Sequence, residues 1–294
     1  MSIEPRPLIG SVVGLSIADG EDSAALGFPP SEVNRTALRI VMALLGQGAG
    51  VSFGHDWRDD GVMEAVHAHV ERFRPFTAEG HGKPLLWNFV PWPDKPRLTE
   101  AEQGRLKETL RIEEAGLPET LRRHASETNP SRVGYLRARG LTHLRHKLTE
   151  KSNARVCLGG RIKTYAGRYP GIVEEALLAI RNRQPVYIAS VLGGAAQQVI
   201  LALEKENEPE SLCCNDKPFT LFSNPPIREE PSNYPDDLNC SPREVWEELA
   251  AYGVRGLSDG NGLSLQENER LFESQAIDEI IELILTGLGR IAAR

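Results

Sequence analysis

The chain has 294 residues, 40% of them hydrophobic, enough for a substantial core and for one large α/β domain or two small ones. A net charge of −7 counts against a duplex nucleic-acid footprint but leaves room for a local cationic site that takes a small anion. No apolar run reaches membrane-span length, the N-terminus carries no signal-peptide pattern, and Cys157, Cys213, Cys214 and Cys240 fit no zinc spacing. A reduced, cytoplasmic protein without metal or cofactor is expected.

The first apolar run, Leu8 to Ile17, reads as a strand. After a turn-rich loop, Val33 to Leu45 has helical periodicity, with Ser31 as its N-cap. Ala49 to Phe53 is the second strand and exits into Gly54-His55-Asp56; a helix over about Asp60 to Arg72 follows. Pro84 to Val90 is the third strand. The charged stretch Leu98 to Arg123 predicts helical segments, interrupted at Gly116-Leu117-Pro118. Arg132 to Lys151 predicts a basic helix, broken or capped near Gly140. Its His143, His146, Arg139 and Arg145 could face the ligand or a partner subunit, with a solvated face as the default expectation. Apart from His55, the other histidines, His67, His69, His81 and His124, show no ligand spacing either.

The central stretch is Ala154 to Ala179. A buried strand over Ala154 to Leu158 leads into Gly159–Gly160, then a loop with Arg161, Lys163 and Arg168. Pro170–Gly171 opens a helix bearing Glu174 and Glu175 in its first turn. Strand, Gly-rich loop and helix N-terminus together make an anion and ligand cradle. Gln184–Pro185 ends that helix, and Val186 to Leu192 is the next strand. It exits into Gly193–Gly194, which repeats the same logic ahead of a helix over Ala195 to Glu204. Residues 206–242 are rich in Pro, Asn, Asp and Ser and read as a loop insertion. Ser241 caps a helix to Tyr252; Leu257 to Glu269 is a polar loop running into a helix start; Ile277 to Ile291 is a terminal amphipathic helix.

Strands alternating with helices predict a Rossmann-like, doubly wound parallel sheet flanked by helices, in a single domain over residues 1–294. In such a sheet the strand ends share one edge, where ligands bind. That edge would gather Gly14 and Ser16 from the first strand, and His55, Asp56 and Arg58 from the second. It would add Gly159, Gly160, Arg161, Lys163, Arg168, Gly171 and Glu174 from the central stretch, and Gly193 and Gly194 from the next exit. Arginine suits phosphate, which its planar fork grips with paired bonds, and a carboxylate suits ribose hydroxyls. Adjacent Glu174 and Glu175 cannot both face the same way on a helix; Glu174 is assigned to the site and Glu175 is left open.

The segment GGR, AGR, PGI, EEALLA resembles the SLOG superfamily, the Rossmann-like group named after SMF/DprA proteins and LOG cytokinin-activating enzymes. LOG enzymes carry Gly-Gly, Gly-Thr and Glu-Glu elements here. Gly159–Gly160 and Glu174–Glu175 match, Pro170–Gly171 replaces Gly-Thr, and the loop is longer. The longer form is similar to SLOG domains of bacterial conflict and anti-phage systems, thought to sense nucleotide-derived signals such as cyclic ADP-ribose isomers. The resemblance implies a cytoplasmic sensor of such a ligand, a homo-oligomer, with a fused or partner effector. One alternative is LOG-like hydrolysis of a nucleoside monophosphate, with Glu174 as the catalytic carboxylate. Another is DprA-like nucleic-acid binding, against which the negative charge counts.

Overall fold

The computed structural model describes residues 7–54, 66, 69, 85–96, 98–205, 227 and 242–294. Among them, six strands form one sheet in the order β4-β3-β2-β1-β5-β6, and every pairing is parallel. They are β1 (Val12–Ala18), β2 (Gly50–Gly54), β3 (Leu86–Pro91), β4 (Leu110–Gly116), β5 (Ala154–Gly159) and β6 (Val186–Ala189). The chain leaves β1 toward β2, β3 and β4, then returns to place β5 on the other side of β1. The order therefore reverses between β1 and β5, and the crevice at their carboxyl ends is the topological switch point of a Rossmann-like α/β sheet.

Side-chain alternation sorts the two faces. Val13 and Leu15 of β1 and Ala154, Val156 and Leu158 of β5 enter one core, with α1 (Pro30–Gly46) and the last helix, α8 (Ile277–Ala292). The buried positions of α1, Val33, Ala37, Ile40, Val41, Leu44 and Leu45, have helical spacing. The opposite face carries α3 (Pro130–Lys151), α4 (Gly171–Arg181) and α5 (Gly194–Leu203). Cys157, Val186 and Ile188 pack there with the apolar stripes of α4 and α5. Val12, Trp87 and Phe89 meet Leu144 and Leu148 of α3.

Several expected boundaries move. The charged stretch Leu98 to Arg123 contains a short helix, α2 (Glu100–Leu106), then strand β4 and a 3-10 turn over Glu119–His124. β4 lies at the edge of the sheet, where Arg111, Glu113 and Glu114 are tolerated because one side pairs with nothing in the sheet. That charge gave it the look of a helix. Gly140 does not break α3; a Cβ there would sit 3.3 Å from the carbonyl oxygen of Trp92, so the residue serves close packing. The expected polar loop at Leu257 is helical. α6 (Pro242–Asn261) kinks at Gly253 and is followed by α7 (Leu265–Glu273), capped reciprocally by Ser264 and Glu267. Pro29, not Ser31, precedes α1 as its N-cap. The helix expected near 60–72 and nearly all of the 206–242 insertion lie outside the described residues.

Candidate functional site

A cleft of about 470 Å³ opens at the β1–β5 switch point. Its floor is the exit of β1, Leu15 to Asp19, beside Phe53 and Gly54 at the end of β2. One wall is α3, through Arg137, Leu141, Leu144 and Arg145. These positions are spaced i, i+4, i+7 and i+8, so a single helix face supplies two guanidiniums and an apolar strip. The opposite wall is the β5–α4 loop and the first turn of α4, through Gly160, Arg161, Thr164, Tyr165, Ala166, Gly171, Ile172 and Glu175.

Beneath the cleft lies a buried ionic network. Arg145 pairs with Glu174, whose other carboxylate oxygen accepts from Thr142 Oγ1 at 2.7 Å. Arg145 Nε lies 3.6 Å from Glu175 Oε1, and Arg155 Nη1 lies 3.6 Å from Glu175 Oε2. Ser16 Oγ donates to that same Oε2. Arg155 is fully buried and also donates from Nη2 to Thr149 Oγ1 at 3.1 Å. Burial lowers its pKa, against the opposing pull of the Glu175 charge. Two arginines and two glutamates thus offset one another inside the protein.

The glycines around this network make room for it. Gly14 is opposite Arg155 in the β1–β5 register, and a Cβ there would lie 2.7 Å from the guanidinium carbon. A Cβ on Gly167 or Gly171 would meet the Arg145 guanidinium at 2.7 or 2.8 Å. The pair Gly159–Gly160 brings β5 against β1 and α5: Gly160 N–H donates to Ala18 O at 2.9 Å, and Ala195 N–H donates to Gly160 O at 2.8 Å. Gly193 and Gly194, both at positive φ, let α5 start against that loop.

Of the residues expected at the site, Ser16, Gly160, Arg161 and Gly171 come together on the cleft. Gly14, Gly159, Gly193 and Gly194 lie behind its walls as packing positions. Lys163 and Arg168 are also outside the lining; Arg168 stacks 5.5 Å from the Tyr169 ring centre. His55, Asp56 and Arg58 fall outside the described residues. The two glutamates exchange roles. Glu174 is 1% exposed and spent on Thr142 and Arg145, whereas Glu175 stands on the cleft wall. The expected solvated face of α3 is also overturned: Arg139, His143, Arg145 and His146 are all buried. Arg137 and Tyr165 are cleft residues that no sequence signal singled out, although the Arg137–Leu141–Leu144–Arg145 spacing marks one helix face; Arg145 was expected on a solvated face, and Glu175 was not assigned to the site.

Cys157 is not poised as a nucleophile. Cys157 is buried next to Ser16 on β5, and desolvation pushes its thiol up to about 12. Among the described residues, no three His, Cys, Asp or Glu side chains are grouped to hold a metal ion, and no helix is long and apolar enough to cross a membrane. The cleft offers cationic and hydroxyl donors, the rings of Phe53 and Tyr165, the carboxylates of Asp19 and Glu175, and an apolar strip from Leu141 and Leu144.

No curated protein matches the chain. The model of the SLOG cluster2 family matches residues 7–271, which include every strand and cleft residue just described. The chain belongs to the SLOG cluster2 family.

Proposed function

We propose that the chain binds a nucleotide-derived signal in the β1–β5 cleft and does not cleave it. The observation that supports this most is the state of Glu175. Its Oε2 accepts from Ser16 and lies beside Arg155, while its Oε1 faces Arg145. Glycoside hydrolysis needs a carboxylate available to the anomeric carbon. A carboxylate engaged on both oxygens serves better as a fixed hydrogen-bond acceptor for a ribose hydroxyl. Arg137 and Arg161 rim the cleft and suit phosphate oxygens; Leu141, Leu144 and Phe53 suit a base. SLOG membership supports a nucleotide-related role, and the resemblance to conflict-system domains favours a cyclic ADP-ribose isomer in a bacterial defence or signalling setting. Self-association and a partner effector belong to the same reading.

The test is calorimetry with cyclic ADP-ribose, ADP-ribose and AMP, with chromatography of the incubated ligands. The expected result is saturable binding of an ADP-ribose-type ligand, no released base, and about tenfold weaker binding by Arg161→Ala, the loss of one charge-assisted contact. Arg161 is the right probe because it is exposed at the rim, whereas truncating the buried Arg145 would strand two carboxylates and unsettle the fold. Base release, or no binding of any of the three, overturns the proposal.

A further inference from the structure

The rim of the cleft holds a second arrangement beside Arg161, built from backbone donors and acidic side chains that the nucleotide reading does not use. The β5–α4 loop turns its backbone donors toward the β1–α1 loop, where an acidic side chain meets them. Ile162 N–H donates to both oxygens of Glu21, at 3.2 and 3.0 Å, and Lys163 N–H donates to Oε1 at 2.8 Å. Next to them, Arg161 Nη2 pairs with Asp19 Oδ2 at 2.7 Å. Successive backbone N–H groups flanked by a guanidinium form a concave anion-binding nest. Arg161 and Thr164, on either side of the two donors, both line the cleft, so the nest opens at its mouth.

We propose that this nest is an anion subsite for a ligand phosphate, and that two built-in competitors hold it: Glu21, which fills the backbone donors, and Asp19, which occupies the flanking Arg161. The inference rests on the cleft reading but adds a competitor to it. Three observations carry it. The nest binds a carboxylate, so its geometry accepts an anion. Glu21 is exposed, so its side chain can rotate into solvent without disturbing a core. The loop that carries it is pinned separately: buried Ser23 accepts from Gly20 N–H at 2.7 Å and donates to Leu192 O at 2.7 Å. Displacement therefore needs a rotamer change, not a loop movement. The carboxyl itself reports the grip of the nest. Partial burial pushes its pKa up, yet the backbone N–H groups of Ile162, Lys163, Glu21 itself and Thr164 together outweigh that and hold it below the ordinary carboxylate range. A phosphate that enters exchanges one anion for another, and its affinity is reduced by the cost of expelling Glu21.

The experiment titrates inorganic pyrophosphate and ADP-ribose into the parent protein, Glu21→Gln and Asp19→Asn. Glu21→Gln keeps the side-chain length and an oxygen acceptor but removes the charge; Asp19→Asn releases Arg161 without touching the nest. Both variants should bind pyrophosphate about fivefold or more tighter than the parent, a gain of about 1 kcal/mol. Unchanged or weaker pyrophosphate binding in both variants overturns the inference. If ADP-ribose binds the parent and neither variant binds either probe more tightly, the cleft reading stands and the competitor falls. If pyrophosphate tightens while ADP-ribose binds none of the proteins, the subsite stands and the nucleotide reading falls.

Discussion

His143 shows how a single residue on α3 couples the protein to pH. It is 6% exposed, and its charged form is disfavoured first by burial, then by Lys147, His146, Arg122 and Arg139. Its pKa drops to about 4, whereas a free imidazole titrates near 6.5. Between those values the unfolded chain takes up a proton that the folded chain refuses. The unfolded state then binds more protons, so this residue's contribution is intact above pH 6.5 and is lost as pH falls toward 4. Urea midpoints measured from pH 7 to 4.5 should fall in the parent and fall less steeply in His143→Gln. Equal slopes would mean that His143 is not the titrating group. The sequence reading put this residue on a solvated face, because a run of His, Arg and Lys looks like one. Only the packing of α3 against β3 and β4 shows otherwise. Glu174 and Glu175 make the same point. Adjacent helical residues point about 100° apart, yet both carboxylates reach Arg145, and which of them also meets Thr142 depends on where α3 lies.

At the scale of elements, the contact that positions the cleft is the meeting of the β5 loop with the start of α5. Gly194 has φ of 63°, and a Cβ there would overlap the carbonyl oxygen of Gly160. Gly194→Ala should therefore suffer both crowding, about 1–3 kcal/mol, and left-handed backbone strain of a similar size. Its chemical-denaturation midpoint should drop well below that of Gly289→Ala, a helix position where a Cβ meets nothing within 4 Å. Comparable midpoints would show that the α5 start yields at little cost. The strand–Gly–Gly–helix pattern was legible at both β5 and β6, because a glycine pair after a short apolar run is a local signal. Its purpose was not legible. These glycines bring backbone against backbone, and Gly14, Gly167 and Gly171 clear space for arginines distant in sequence. Edge strand β4 was not legible because a charged stretch resembles a helix, whereas here the charges suit an unpaired sheet edge.

For the whole molecule, the last helix completes the core under the sheet. Ile280, Leu283, Ile284 and Leu288 of α8 join the cluster of β1, β2, β5 and α1, although the family match ends at residue 271. Burying an aliphatic side chain contributes about 1.5–3 kcal/mol, and whole domains hold only about 5–15 kcal/mol. Ile284 is 2% exposed, so Ile284→Ala should lose about 2–5 kcal/mol by transfer and cavity terms together. A denaturation curve that moves by less than about 1 kcal/mol would show that α8 docks loosely. Additional ties from α8 run through Arg290, which pairs with Glu267 of α7 at 2.7 Å and donates to Gly262 O at 3.1 Å.

The sequence by itself determined the fold class, the strand that leads into the central loop, and the family, because hydrophobic periodicity and Gly-rich strand exits are local. It also carried Ser16, Gly160, Arg161 and Gly171 to one edge, since parallel strands put their ends together. Only the tertiary structure decided which charges face the cleft and which neutralise one another below it. Arg155 and Arg145 pair with glutamates 20 and 29 or more positions away, across β5, α3 and α4. Glu21 meets Lys163 across 142 positions. Such pairings follow from desolvation and approach in three dimensions, and nothing in the spacing of residues along the chain encodes them.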